Sequence, residues 1–237
     1  MKKSNLFKQA FRLKESNCTI ISDKESAIKK ATSSIKHHRR QLEKYIQKHP
    51  QFLHSLEPVA VDNGPKVVQL MAEASAKAGV GPMAAVAGVL ADLAVEEMVS
   101  DGCKVAVVEN GGEVSAVSNQ PVDIALAAGD APLSREMGFR LKEFPVGVAT
   151  SSGLYSHAFS FGEAEAVTVF AVDAGVADAA ATAVANLIKG DDVRGVIREG
   201  IDRALSIKGV KGVFILYRGV VGKAGQVPEL IKVNPQR

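Results

Sequence analysis

The chain has no tryptophan and only nine Phe and three Tyr in 237 residues. A core so short of large rings must be built from small and aliphatic side chains on elements that approach one another closely. Cysteine is equally scarce. Cys18 and Cys103 stand alone and far apart, which excludes a secreted disulfide framework and a CxxC zinc site and leaves them as idle thiols. No apolar run approaches the 18 or more residues of a membrane-crossing helix, so that class is excluded too. The opening Met1-Lys2-Lys3 is basic, but Lys8, Arg12 and Lys14 interrupt any apolar stretch behind it. A cytoplasmic protein is therefore expected.

What is abundant is alanine, 33 residues, and glycine, 21. The net charge of +3 hides a division: residues 1–50 hold 13 Lys and Arg against 4 Asp and Glu, whereas residues 51–237 hold 16 against 22. The first fifth of the chain is electrostatically opposite to the rest.

The pattern predicts a hairpin, Phe11–Lys14 and Cys18–Ile21, turning at Glu15-Ser16-Asn17. From Glu25 to His49, positions Ile28, Ala31, Ile35, His38, Leu42, Tyr45 and His49 recur at spacings of three and four, one stripe of a long amphipathic helix that Pro50 stops. A second helix is expected from Pro65 to about Ala78. A third, from Ala84 to about Val99, is apolar nearly all round except for Asp92. Strands are expected at Lys104–Val108, Glu113–Val117, Val122–Ala127, Phe139–Leu141, Val146–Ala149 and Ala166–Ala171, helices at Ala174–Leu187 and Asp192–Leu205, and a final strand at Gly212–Tyr217. Strands cluster in the middle with helices on both sides of them and no strict βαβ alternation, which favours an α+β fold with a mixed or antiparallel sheet and helices packed against it. No linker or internal repeat divides residues 1–237, so one domain is expected, with residues 1–50 integral to it.

Three segments could carry chemistry. Glu109-Asn110-Gly111-Gly112-Glu113, between two strands, has paired glycines that allow a tight hairpin turn or close approach of a ligand to bare backbone, the plain turn being the simpler reading. Thr150-Ser151-Ser152-Gly153 offers three hydroxyls to phosphate or carboxylate oxygens, and His157 just beyond titrates near neutral pH; the same residues also make ordinary loops. In the alanine-rich helix, Asp178 and Thr182 are one turn apart on the same face. They form either part of a hard-cation site, or a threonine bonded back to its own helix beside a solvent-facing carboxylate.

These segments occur in a familiar order. Val108–Glu113 resembles the Gly-Gly-Asp turn of the ApbE family, the FAD:protein FMN transferases, with Glu113 in place of Asp. Ala149–Gly153 resembles its Ala-Thr-Ser-Gly loop, and His157 sits where its His-Ile-x-Asp-Pro segment begins. Ala166–Ala171 leading into Ala177–Ala183 is similar to its Val-Thr-Val strand and Ala-Asp-Ala-x-x-Thr helix. Residues 11–100, with Gly79–Gly88, resemble a short uncharacterised branch of that superfamily in bacteria and archaea. The resemblance implies a T-fold-like architecture and Mg²⁺ held by Asp178 and Thr182. It also implies FAD or a related flavin nucleotide bound by Gly111, Gly112, Glu113, Thr150, Ser151, Ser152 and Gly153, with His157 catalytic. A small-molecule nucleotide, an acceptor protein and a second copy of the chain in a homodimer are the partners it suggests. The Asp-Pro-x-Thr-Gly that follows the histidine in the transferases is missing here, since residues 158–162 read Ala-Phe-Ser-Phe-Gly. The alternative is thus a non-catalytic binding or scaffold protein that kept the fold and lost transferase activity.

The helix over Glu25–His49 carries Lys29, Lys30, Lys36, Arg39, Arg40, Lys44 and Lys48. A solvated face that docks on the acidic remainder is the simpler reading, and a nucleic-acid surface the less favoured one.

Overall fold

The computed structural model describes residues 6–126, 137–153 and 162–233. Strands β1 (Phe7–Leu13) and β2 (Ser16–Ser22) pair antiparallel from Phe7↔Ser22 to Leu13↔Ser16, so the turn is Lys14-Glu15, earlier and tighter than the sequence suggests. Helix α1 (Glu25–Lys48) buries Ile28, Ala31, Ile35 and Leu42 of the expected stripe. His49, just past its end, is exposed. A single turn, α2 (Gln51–His54), follows Pro50 and buries Phe52. Helix α3 (Lys66–Ala78) starts behind Pro65 and ends at Gly79, whose φ of 67° needs a residue without Cβ. A 3₁₀ turn over Pro82–Ala85 then leads into α4 (Val86–Ser100).

The strands are β3 (Val105–Asn110), β4 (Glu113–Ser118), β5 (Val122–Ala125), β6 (Met137–Leu141), β7 (Val146–Ser151) and β8 (Ala166–Ala171). Helices α5 (Ala174–Ala185) and α6 (Val193–Ser206) precede β9 (Val210–Tyr217). Two further strands, β10 (Val220–Gly225) and β11 (Glu229–Lys232), lie where the sequence had suggested none. The first completes a hairpin with β9, and its Val-Val-Gly-Lys-Ala-Gly run has too little apolar alternation to be seen from sequence alone.

Eight strands form one sheet in the order β1-β2-β3-β4-β7-β8-β9-β10, and β11-β6-β5 form a second. The recorded pairings are all antiparallel. Although the helices flank the strands on both sides along the sequence, in space they gather on one face of the large sheet. Alternation divides the core accordingly. Val105, Val107, Val114, Ala116, Val146, Val148, Phe170 and Phe214 face the small sheet and meet Phe139 and Leu141. Ala106 and Val108 face α1 and α4, while Val167, Val169, Val213 and Ile215 face α3, α5 and α6. The scarce rings are concentrated between the sheets, where Phe139 stands edge-on to Phe170 and Phe214 with centroids 4.9 and 5.6 Å away.

The helix layer runs on small residues. A Cβ on Gly88 would lie 2.1 Å from the Ala174 carbonyl oxygen, and one on Gly147 would lie 2.0 Å from the Asp173 carbonyl carbon. Helices α4 and α5 therefore cross with their backbones in contact, and the start of α5 rests on β7. Among the described residues no single helix is long and apolar enough to cross a membrane. Docking of the basic face of α1 on the acidic remainder is limited to one recorded contact among the described residues, Lys30 Nζ to Asp101 Oδ1 at 3.3 Å. Lys29, Lys36, Arg40, Lys44 and Lys48 are exposed, because the helix is held by its apolar stripe against α4 instead.

Two measurements test this packing. An alanine at a glycine inside an exposed helix gains about 1 kcal/mol from propensity, but the neighbours of Gly88 are backbone atoms that cannot yield. Gly88→Ala is therefore expected to lose about 1–3 kcal/mol, seen as a Tm lower by roughly 2–4 °C per kcal/mol; an unchanged or higher Tm would contradict the close crossing. Burial pushes the Cys18 thiol up to about 12 and also raises the half-buried Cys103. A raised pKa depletes the reactive thiolate at pH 8. Iodoacetamide followed by mass spectrometry should accordingly label Cys103 slowly and Cys18 only after denaturation.

Candidate functional site

The N-termini of two helices meet beside the β3–β4 turn. Each helix is capped by a carboxylate from the other. Asp178 of α5 accepts hydrogen bonds from the backbone N–H groups of Gly88, at 3.0 Å, and Ala87 at the start of α4. Asp92 of α4 accepts from Ala174 N at 3.0 Å and Gly175 N at 2.8 Å at the start of α5, and takes a further bond from the Ser115 hydroxyl. Free N–H groups and the helix dipole make each N-terminus a favourable seat for negative charge. Burial still dominates for Asp92, whose carboxyl is pushed up to about 6 despite those donors.

The turn is fixed by glycine. Gly111 and Gly112 have φ of 74° and 120°, the left-handed pair that a two-residue hairpin turn demands. Gly111 N donates to Asn17 O at 3.0 Å and Gly112 N to Glu109 Oε1 at 2.9 Å. Asn110 ties this turn to the helices: its Nδ2 donates to Ala87 O at 3.0 Å, and its Oδ1 accepts from the Cys18 thiol at 3.3 Å.

Glu113 opens β4. Its neighbour Val114 faces the small sheet, so alternation turns Glu113 toward the helices, and toward Asp178. Its carboxyl is held well above the usual range, first by burial and then by the nearby charges of Asp178 and Glu109. Asp178 is raised as well, by burial and by Asp92, against the pull of the two N–H groups. Between Ala177 and Ala183 only Asp178 and Thr182 are not fully buried. The pair read from sequence thus lies on the open edge of α5, with Asp178 engaged by α4 instead of facing solvent as the bland reading had it.

The hydroxyl segment divides. Thr150 points to the small-sheet side, where its Oγ1 lies 2.9 Å from that of Thr168. Ser151, one residue on, turns to the helix side and is buried. Ser152 is buried with Oγ 3.5 Å from Ala164 O, and Gly153 N donates to Ala164 O at 3.0 Å. Thr150 and Glu113 share an end of the sheet but not a face. His157, with Tyr155, Phe159 and Phe161, lies outside the described residues.

Asp92 and Asn110 were missed as site residues. A signal for Asp92 existed, since one carboxylate inside an otherwise apolar helix must find partners when buried. Asn110 gives no such signal, because asparagine before Gly-Gly is ordinary turn composition. Among the described residues no three His, Cys, Asp or Glu side chains converge as a metal cage. The oxygen donors at hand are the two carboxylates and Thr182, a hard set suited to a cation that takes its remaining ligands from phosphate and water.

Residues 2–206 match the sequence profile of a family described as AbpE bacteria. The chain is 41% identical over 233 residues to a UPF0280 protein of Methanocaldococcus jannaschii, covering 96% of this chain and 94% of that one. It is 40% identical over 198 residues to a UPF0280 protein of Methanothermobacter thermautotrophicus, covering 83% and 77%. Its fold is similar to that of the ApbE protein from Thermotoga maritima, with a TM-score of 0.67 at 16% identity over 93% of this chain and 97% of that one. It is also similar to the flavinyl transferase ApbE of Pseudomonas stutzeri, with a TM-score of 0.62 at 16% identity over 93% and 94%. The α+β fold assembled above is thus an ApbE-like one, and the chain belongs to the AbpE bacteria family.

Proposed function

We propose that the protein binds a flavin nucleotide, FAD or a close relative, together with Mg²⁺ at the Glu113–Asp178 pair, and that flavin or nucleotidyl transfer to an acceptor protein is the reaction this serves. The observation that carries the reading is the pair itself. Two carboxylates lie within electrostatic reach of each other in a half-buried place, each raised, and neither forms an ion pair among the described residues. Such an arrangement is relieved either by a proton or by a bound cation. Two structural neighbours bear the names flavinyl transferase and flavin transferase, which lends support.

Asp178 and Thr182 would hold the cation from α5 and Glu113 from β4. Mg²⁺, when bound, neutralises phosphate charge, the chief requirement of phosphoryl transfer. The chain's own part is positional. The Gly111-Gly112 turn presents backbone without side chains, so a pyrophosphate could come close. Of the hydroxyl segment, Ser151 lies on the same face and end of the sheet and would offer its hydroxyl, while Thr150 faces the other way and Gly153 N is engaged by Ala164 O. His157 is the candidate to carry a proton. A second reading rests on a different observation: Asp178 already serves two N–H groups of α4, as a purely structural cap would. In that reading the protein is a scaffold that kept the fold.

Calorimetry with FAD, FMN and AMP, with and without Mg²⁺, separates the two. Binding tighter than about 1 mM that requires Mg²⁺ is expected, and Asp178→Asn and Glu113→Gln should each weaken it at least tenfold, or about 1.4 kcal/mol. The asparagine oxygen can still accept from Gly88, so Asp178→Asn should keep its fold, losing at most about 2 kcal/mol as a weakened cap. Absence of any binding in this range would leave the scaffold.

A further inference from the structure

The β1–β2 turn and α1 enclose a cleft of about 190 Å³ lined by Leu13, Lys14, Lys36, Arg39, Arg40 and Glu43. Four cations surround it. Their carboxylate partners are two: Glu43 Oε1 lies 2.7 Å from Lys14 Nζ, and Glu15 pairs with Arg39. Arg39 NH1 also donates to Ser16 Oγ at 2.8 Å, which fixes the guanidinium between helix and hairpin. Its Nε is buried and makes no hydrogen bond, although it is ion-paired with Glu43 Oε1 at 3.6 Å. Buried donors almost always find an acceptor, so an orphaned one marks a place for an ion or water. Lys36 Nζ stands 5.4 Å from the Phe11 ring centroid, and Lys36 and Arg40, one helical turn apart, have no ion-pair partner among the described residues.

We infer that this cleft is an anion site for a compact phosphate-bearing ligand, distinct from the Glu113–Asp178 pair. Lys36 and Arg40 supply charge and donors at the mouth, and the Arg39 guanidinium, held behind them by Glu15 and Ser16, adds fixed positive charge. The cleft has room for a phosphate or a diphosphate. Its place in the fold gives it a use. Asn17, just beyond the hairpin turn, accepts from Gly111 N at 3.0 Å, so the cleft lies at the same end of the sheet as the β3–β4 turn. Strands β2 and β4 are two spacings apart, roughly 10 Å. A charged group held here would sit beside the proposed nucleotide, as a second phosphate-bearing reactant.

Calorimetry of the full chain with inorganic pyrophosphate in Mg²⁺-free buffer tests the site by itself. One equivalent binding tighter than about 1 mM is expected, weakening as salt rises. The double variant Lys36→Ala/Arg40→Ala, at exposed positions, should weaken it at least tenfold, while Asp178→Asn leaves it unchanged. Undetectable binding, or binding lost in Asp178→Asn and kept in the double variant, would overturn the inference. Mg²⁺-dependent FAD binding would then stand or fall separately. Octauridylate is the second probe: affinity no better than pyrophosphate's supports a compact-anion site, whereas much tighter binding that grows with RNA length would overturn it in favour of a polyelectrolyte surface.

Discussion

The reciprocal capping of α4 and α5 governs the arrangement around the site. Each helix begins where the other contributes a carboxylate. Asp173 caps α5 from within through Val176 N at 2.7 Å, but the N–H groups of Gly88, Ala174 and Gly175 find their acceptors only when both helices are in place. Hydrogen bonds to charged acceptors are directional, and they are effective only if the backbones approach to contact distance. Gly88 and Gly175 permit that approach. The alanine content follows from the same demand, because a crossing this tight leaves no room for larger side chains between the helices. Strand β7 carries Gly147 under the start of α5 for the same reason.

Capping also explains how negative charge comes to be concentrated in a region with little solvent. Asp178 is placed by its duty to α4, and the hairpin turn then brings Glu113 to the same spot, with Asn110 fastening the turn to Ala87. Two carboxylates so placed are in tension with one another. A fold selected for stability alone would relieve that tension with an apolar or neutral residue. Retained, it makes the site responsive to a cation, so that architecture and candidate chemistry draw on the same atoms.

Much of this was legible in the residues. The period of three and four in α1, proline before α3 and glycine after it, and the Gly-Gly turn are local signals, and local physics placed them correctly. The Asp178–Thr182 pair was legible because polar groups contrast with alanine. What was not legible is relational. That the helices share one face, that Asp178 caps α4, and that Thr150 faces away from Glu113 all depend on strand order β4-β7-β8, in which neighbours are distant in sequence. Strands β10 and β11 were invisible for another reason: half-exposed and rich in glycine, charge or proline neighbours, they carry little hydrophobic period to read.

Strand β1 is outermost in the large sheet, and one of its edges has no partner among the described residues. An open edge offers unpaired backbone groups to any other strand, and Thr19–Ile21 and Val105–Val108 behind it have the β-branched, uncharged character of aggregating segments. Lys8 and Arg12 are exposed along that edge. Two such edges approaching one another bring like charges together before a single hydrogen bond can form. The positive charge gathered in the first fifth of the chain thus acts as a gatekeeper, allowing a valine-rich sheet to end in solvent without recruiting its neighbours into fibrils.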